Sequence, residues 1–172
     1  PWVDPLRKLL DSALQRDLPS FAICFGHQLL GLHFGAPVIT DPDREEIGTV
    51  QLRLTWEGRQ CPLFSQLGGV FDAQTGHSDH VVGLPPGVEL LATGLGCTTQ
   101  AFKVIDKRFY SSQFHPDLTG EEAKARYLSN KRDQSGRVAA NVARNANAFR
   151  SGRDEATRLL PLFIETVVKP GL

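Results

Sequence analysis

The chain has 172 residues with 19 basic and 19 acidic side chains, so its formal charge is zero at neutral pH. That length suits one domain with a sizeable core, and a single domain over 1–172 is expected. No basic stripe with interleaved aromatics marks a nucleic-acid surface, no apolar run has the length of a membrane span, and no signal peptide is read. Three scattered cysteines, an odd number, argue against a disulfide framework and for a reducing compartment, the cytosol.

In chain order, Leu6, Leu9, Leu10, Ala13 and Leu14 predict an amphipathic helix, with Asp4 as N-cap and Pro5 in the first turn. Pro19–Ile23 reads as a short apolar strand. Gly26–Phe34 follows as a helix closed by Gly35. Ala36–Ile39 predicts a short strand and Ile47–Trp56 a longer one, with Val50, Leu52 and Leu54 alternating against an exposed face. Pro62-Leu63-Phe64 opens a helical turn ended by Gly68-Gly69, and Val70–Gln74 is a strand aimed at the loop carrying His77. After the turn Leu84–Gly87, strands are expected at Glu89–Ala92, Gln100–Ile105 and Arg108–Phe114. Glu121–Leu128 reads as a helix, and Asp154–Val168 as another with Leu159, Leu160, Phe163 and Val167 inward. The basic run Lys124–Arg153 is interrupted by Asn, Ala and acidic residues and reads as solvated surface. The set predicts an α/β fold: an open, mostly parallel sheet flanked by helices, with a small antiparallel insertion.

The most informative run is Ala22-Ile23-Cys24-Phe25-Gly26-His27-Gln28. A strand turning sharply into a helix, with a nucleophile at the turn and small residues two places either side, is a nucleophile elbow. A side chain at Gly26 would crowd that turn, and the cysteine caps the positive end of a helix, where a thiolate is favoured. A cysteine after an apolar strand is ordinarily a buried, inert hydrophobe, the reading given to Cys61 and Cys97. Cys24 differs because a base is available. His115-Pro116-Asp117 ends a strand 91 positions downstream, and Asp117 is able to accept from the imidazole N–H. Asp117 could equally cap the helix starting near Thr119, and His115 could be a strand-end histidine bonded to backbone. Metal ligation by Cys24, His27, His77, His80 and His115 lacks any H-E-x-x-H or paired C-x-x-C spacing, so neither metal nor cofactor is expected.

Three blocks in order resemble class I glutamine amidotransferases: Cys24, Gly26 and Gln28 as C-x-G-x-Q; Gly76-His77-Ser78-Asp79-His80-Val81; and Gln113-Phe114-His115-Pro116-Asp117. The nearest likeness is to the standalone branch resembling the amidotransferase half of GMP synthetase, a branch that includes plant γ-glutamyl peptidases. The resemblance implies a flavodoxin-like α/β fold and a catalytic Cys24–His115–Asp117 triad. It implies an oxyanion donor at the Phe25 N–H and a substrate-holding Gln28. His77 and Ser78 would lie in a loop meeting the substrate through backbone groups, and His80 would be structural. Expected partners are glutamine or a γ-glutamyl small molecule, and a synthetase or other acceptor protein. Three functions follow: a glutaminase supplying ammonia, a γ-glutamyl peptidase acting on glutathione-like amides, or an inactive relative serving as a binding module.

Three departures from the family pattern stand out. Asp117 replaces the usual glutamate, and Ala22 replaces the usual glycine. Only Pro1–Leu18 precede the elbow strand, where the family has a full strand–helix series whose Gly/Ser/Pro loop gives a second oxyanion donor. A fragment lacking its natural N-terminal third is therefore expected. Loss of one such donor costs on the order of a hundredfold to a thousandfold in rate.

Overall fold

The computed structural model describes residues 2–130 and 145–171. Helix α1 (Val3–Gln15) forms from the predicted amphipathic pattern and buries Leu10, Ala13 and Leu14. Its N-cap is Trp2, in helical conformation and without a side-chain cap bond, and not Asp4. Asp4 lies inside the first turn, where its charge complements the helix dipole. Strand β1 (Ser20–Ile23) leads directly into α2 (Phe25–His33). The remaining strands are β2 (Val38–Thr40), β3 (Glu46–Leu54), β4 (Val70–His77), β5 (Asp79–Val81), β6 (Val88–Thr93), β7 (Ala101–Val104) and β8 (Phe109–Ser112). Trp56, expected to end a strand, instead starts the short helix α3 (Trp56–Gln60), because the Thr55 hydroxyl accepts from the Gly58 N–H at 3.0 Å.

The chain has an α/β fold. Six strands form one sheet in the order β1-β8-β7-β6-β3-β4, and β2 with β5 forms the small antiparallel insertion between Cys24 and His115. Within the described residues the large sheet is mixed: β1–β8 is parallel, and the other four neighbouring pairs are antiparallel. Connection length sets this balance. A parallel pairing needs a crossover of a dozen or more residues, whereas β7 and β8 are joined by a turn over 105–108. Asp106 takes that turn at φ 58°.

Two apolar layers cover the sheet. On one side Leu10, Leu14, Leu29, Leu30, Phe102 and Phe109 pack together, joining α1 and α2 to the strands. On the other, Leu52, Phe64, Phe71, Phe114, Leu159 and Phe163 form the larger cluster. The helix expected at Asp154–Val168 is broken into a 3-10 turn (Glu155–Arg158), α5 (Leu159–Phe163) and a wider π turn (Ile164–Val168). Pro161 offers no N–H to the turn before it, which disfavours an uninterrupted α-helix there. Leu159, Phe163 and Val167 face inward as expected, while Leu160 is half-buried. Helix α4 (Gly120–Asn130) matches its prediction, and residues 131–144 of the basic run lie outside the described residues.

Candidate active site

Parallel pairing of β1 with β8 sets Ile23 opposite Ser112, so both strands end on the same edge of the sheet. Cys24 and His115 follow those two ends, which is where open α/β sheets bind ligands. The Cys24 N–H donates to the Ser112 carbonyl at 2.8 Å, tying the elbow to β8. Cys24 has φ 49° and ψ −100° and is the N-cap of α2, the strained strand-to-helix geometry read from the sequence. A Cβ at Gly26 would lie 3.2 Å from the Cβ of Ala22, so this pair of small residues sets the tightness of the elbow. The side chain of Cys24 is partly accessible, whereas Cys61 and Cys97 are buried. Burial pushes the Cys97 thiol up to about 11, which keeps it protonated and inert.

The His115 N–H donates to the Gln74 carbonyl at 2.8 Å, fixing the loop after β8 against β4. Its Nδ1 lies 3.0 Å from Asp117 Oδ1, and Cys24 and His115 line the same cavity. Burial lowers the imidazole pKa, but the Asp117 hydrogen bond and the Cys24 side chain outweigh it and raise it to about 9. The same hydrogen bond holds Asp117 below its ordinary value, against the effect of burial. The capping alternative for Asp117 falls away. Helix α4 is capped by Thr119, whose N–H donates to Glu122 Oε2 at 2.8 Å while its hydroxyl accepts from the Glu122 N–H at 3.3 Å.

Gln28 is buried rather than an exposed helix residue. Its Nε2 donates to the Asp79 carbonyl at 2.8 Å and to Gln113 Oε1 at 3.2 Å, and Gln113 Nε2 in turn donates to Cys24 Sγ at 3.7 Å. The Asp79 carbonyl also lies 3.0 Å from His77 Nδ1, so two side chains hold the turn Gly76–Asp79. His77 is buried, its Nε2 3.1 Å from Glu46 Oε2, and the same oxygen accepts from Gln100 Nε2 at 2.6 Å. Ser78 is less buried and donates to Glu45 Oε1 at 2.7 Å. Cys24, Gln28, Gly76, His77, Ser78 and Asp79 border one concavity. A cavity of about 280 Å³, which shares Cys24 and Gly76 with that concavity, is lined by His115, Phe25, Arg126, Tyr127 and Phe149 among others. The Phe25 N–H, first of α2, has no partner within the helix and is available to a ligand oxygen.

The family model described as Glutamine amidotransferase class-I matches residues 3–134. The chain belongs to the class I glutamine amidotransferase family. Relatives include a GMP synthase (glutamine-hydrolyzing) subunit of Methanocaldococcus jannaschii, 32% identical over 130 residues, covering 76% of this chain and 67% of that protein. The GMP synthase (glutamine-hydrolyzing) of Malacoplasma penetrans is 33% identical over 103 residues, which is 60% of this chain and 19% of that one. The crystal structure of a glutamine amidotransferase from Thermotoga maritima superposes with a TM-score of 0.80 at 20% identity, covering 98% of this chain and 70% of that chain. At that identity the superposition speaks for the fold alone. The family is one of enzymes.

In this amidotransferase chain three polar residues to which the sequence assigned no role are built into the site: Glu46, Gln100 and Gln113. Gln113 was visible two residues before His115, but nothing in its spacing indicated that its amide reaches both Cys24 and Gln28. His27, adjacent to the elbow, is fully buried against Phe102, and burial lowers its pKa to about 3. Ser111 Oγ gives its proton to the Phe102 carbonyl and so accepts from His27 Nδ1 at 2.9 Å, leaving Nε2 bare among the described residues. His80 is likewise buried, and its Nδ1 has no hydrogen-bond partner among the described residues. Among the described residues no group of three His, Cys, Asp or Glu side chains is placed to hold a metal ion, and no helix is long and apolar enough to cross a membrane.

Proposed function

We propose that this chain hydrolyses the side-chain amide of glutamine through a γ-glutamyl thioester on Cys24. The observation that carries the reading is His115, bonded through Nδ1 to Asp117 at 3.0 Å, sharing one cavity with Cys24 at the ends of two parallel strands. Cys24 sulfur attacks the γ-carboxamide carbon, and the oxyanion forms at the Phe25 N–H. Protonated His115 passes its Nε2 proton to the departing nitrogen as the C–N bond breaks, releasing ammonia. Water then adds to the thioester with His115 as base, the C–S bond breaks, and glutamate leaves. Asp117 keeps the ring oriented through Nδ1 and stabilises its charged form. The substrate's amino-acid end lies along the Gly76–Asp79 turn, at Gln28, His77 and Ser78, where Gln28 acts by fixing the turn.

Relatives that are separate GMP synthase subunits support an ammonia acceptor on a partner protein, and the three unpaired cysteines support a cytosolic address. A diazoketone glutamine analogue should label Cys24 stoichiometrically by mass spectrometry, and Cys24→Ala should remove both the label and all glutamine turnover. A folded protein that shows neither labelling nor turnover would make the chain a binding module. A γ-glutamyl peptidase is the second reading, favoured by the size of the cavity beside His115.

A further inference from the structure

Gln113 is fully buried beside Cys24, and no step of the hydrolysis described above uses its amide. Its backbone is pinned. The Gln113 N–H donates to the Gln100 carbonyl at 2.8 Å, and the preceding Ser112 hydroxyl donates to the Phe114 carbonyl at 2.8 Å. Which end of the amide faces the sulfur follows from its far partners. The Asp79 carbonyl can only accept, so the Gln28 atom 2.8 Å from it is the nitrogen. That nitrogen lies 3.2 Å from the Gln113 side chain, so the atom facing it there is the oxygen. The Gln113 nitrogen is left to face Cys24 Sγ, at 3.7 Å. One backbone carbonyl thus fixes the polarity of two successive amides, and the chain of donors ends on sulfur.

A donor in that place acts unequally on the forms the sulfur takes. A thiolate offers a full charge to an N–H, whereas a thioester sulfur is neutral. Resting on the reading of Cys24 as nucleophile, we propose that Gln113 is a further catalytic residue, whose Nε2–H holds the negative charge on Sγ before attack and again as the thioester is resolved. In that second step water adds to the γ-carbonyl carbon and gives one proton to His115. The C–S bond then breaks, its electron pair returns to sulfur, and glutamate leaves. Gln113 meets that charge without reorganising, because Gln28 and the Asp79 carbonyl have already set its amide. Gln28 is the positioning residue of the pair.

Alkylation reads the sulfur directly. The rate at which iodoacetamide modifies Cys24 in the whole chain is followed against pH by peptide mass spectrometry. Gln113→Met keeps the length of the side chain and removes the donor. The pH of half-maximal rate should rise by about one unit, the effect of one hydrogen bond to a charged group. Gln28→Met, which frees the Gln113 amide to turn, should raise it by less, and decides the matter if Gln113→Met does not fold. Loosened packing would change the plateau rate and the Tm, not the pH of half-maximal rate. The other titratable groups bordering Cys24 are His115, Arg126 and Tyr127 in one concavity and His77 and Asp79 in the other, with Asp117 behind His115. Neither substitution replaces any of them. A midpoint unmoved in Gln113→Met, or in Gln28→Met where the first does not fold, overturns the role of Gln113. The Cys24 reading then still stands on wild-type glutamine turnover and diazoketone labelling. A folded wild-type chain with neither overturns both.

Discussion

Burial alone would lower the pKa of His115, and it is the Asp117 carboxylate and the Cys24 side chain that turn the shift upward, to about 9. Because the folded value lies above the ordinary 6.5, the interaction stabilises fully below about 6.5 and is lost as pH rises through about 9. Asp117, held below 3.8, gives its part above that value and loses it as pH falls further. Asp117→Asn should therefore lower the urea midpoint most between pH 4 and 6.5 and least above pH 9. In catalysis the same substitution should move the basic limb of the kcat profile down by about one unit or more, whereas Asp117→Glu should keep it. An unmoved limb in Asp117→Asn would remove Asp117 from the proton-holding machinery. Steric fit governs the other residue of note. Gly26→Ala brings a Cβ to 3.2 Å from Ala22, on a strand pinned to β8, so the helix propensity gained is offset by crowding. In an Ala22→Gly background Gly26→Ala should become more favourable by about 1 kcal/mol in a double-mutant cycle read by chemical denaturation. The sequence could suggest that Gly26 is tight. It could not say that the opposing atom belongs to Ala22, the position where the family pattern has glycine.

The turn Gly76–Asp79 is held as an element by a buried set of side chains drawn from four places in the chain. Glu46 stands at the start of β3, His77 at the end of β4, Gln100 just before β7, and Gln28 on α2. Glu46 and His77 have side-chain exposures of 8% and 2%, so removing the carboxylate strands a buried imidazole and a buried amide together. Glu46→Ala should cost about 3 kcal/mol in unfolding free energy, and Glu46→Gln, which keeps the shape, about 1 kcal/mol. On the proposed function the displaced turn should raise KM for glutamine by about tenfold while changing kcat less. An equal fall in kcat with unchanged KM would contradict that role. Period-two alternation located β3, yet it started the strand at Ile47, leaving Glu46 outside, and ran it two residues past Leu54. Alternation reports which faces are apolar. It does not reveal a polar side chain buried because its partners arrive from 31 and 54 residues away. The elbow was legible for the opposite reason: strand, turn and helix are contiguous, and their small residues appear at fixed spacing.

At the scale of the whole molecule, the sequence conveyed the order of strands and helices and the convergence of Cys24 with His115, but not the balance of pairing in the sheet. Apolar runs of four to six residues look alike in parallel and antiparallel settings, and only the lengths of the connections separate them. The docking of the segment after residue 144 was also hidden, since beside the Asp154 and Arg153 side chains it uses backbone groups that carry no side-chain signature. Thr49 donates its N–H to the Ala148 carbonyl at 3.0 Å, Arg150 N–H donates to the Thr49 hydroxyl at 2.7 Å, and Gln74 Nε2 donates to the Arg153 carbonyl at 2.9 Å. Gln74 also accepts the His115 N–H, so this segment braces both the Phe149 wall of the cavity and His115. Gly48 is where the segment comes closest: at φ 108° a Cβ would lie 2.5 Å from the Ala148 Cβ and 2.7 Å from its carbonyl carbon. Gly83 is the control, with φ 75° and nothing within 4 Å of an added Cβ. Both substitutions to alanine carry the backbone cost of a positive φ, about 1 kcal/mol, but Gly48→Ala must in addition push the docked segment away. It should cost about 2 kcal/mol more than Gly83→Ala, a further fall in Tm of about 4–8 °C. Amide exchange should then rise at Thr49 and Arg150 in Gly48→Ala alone. Equal Tm losses in the two variants would mean that the segment yields without cost, and that Phe149 is not firmly held in the cavity wall.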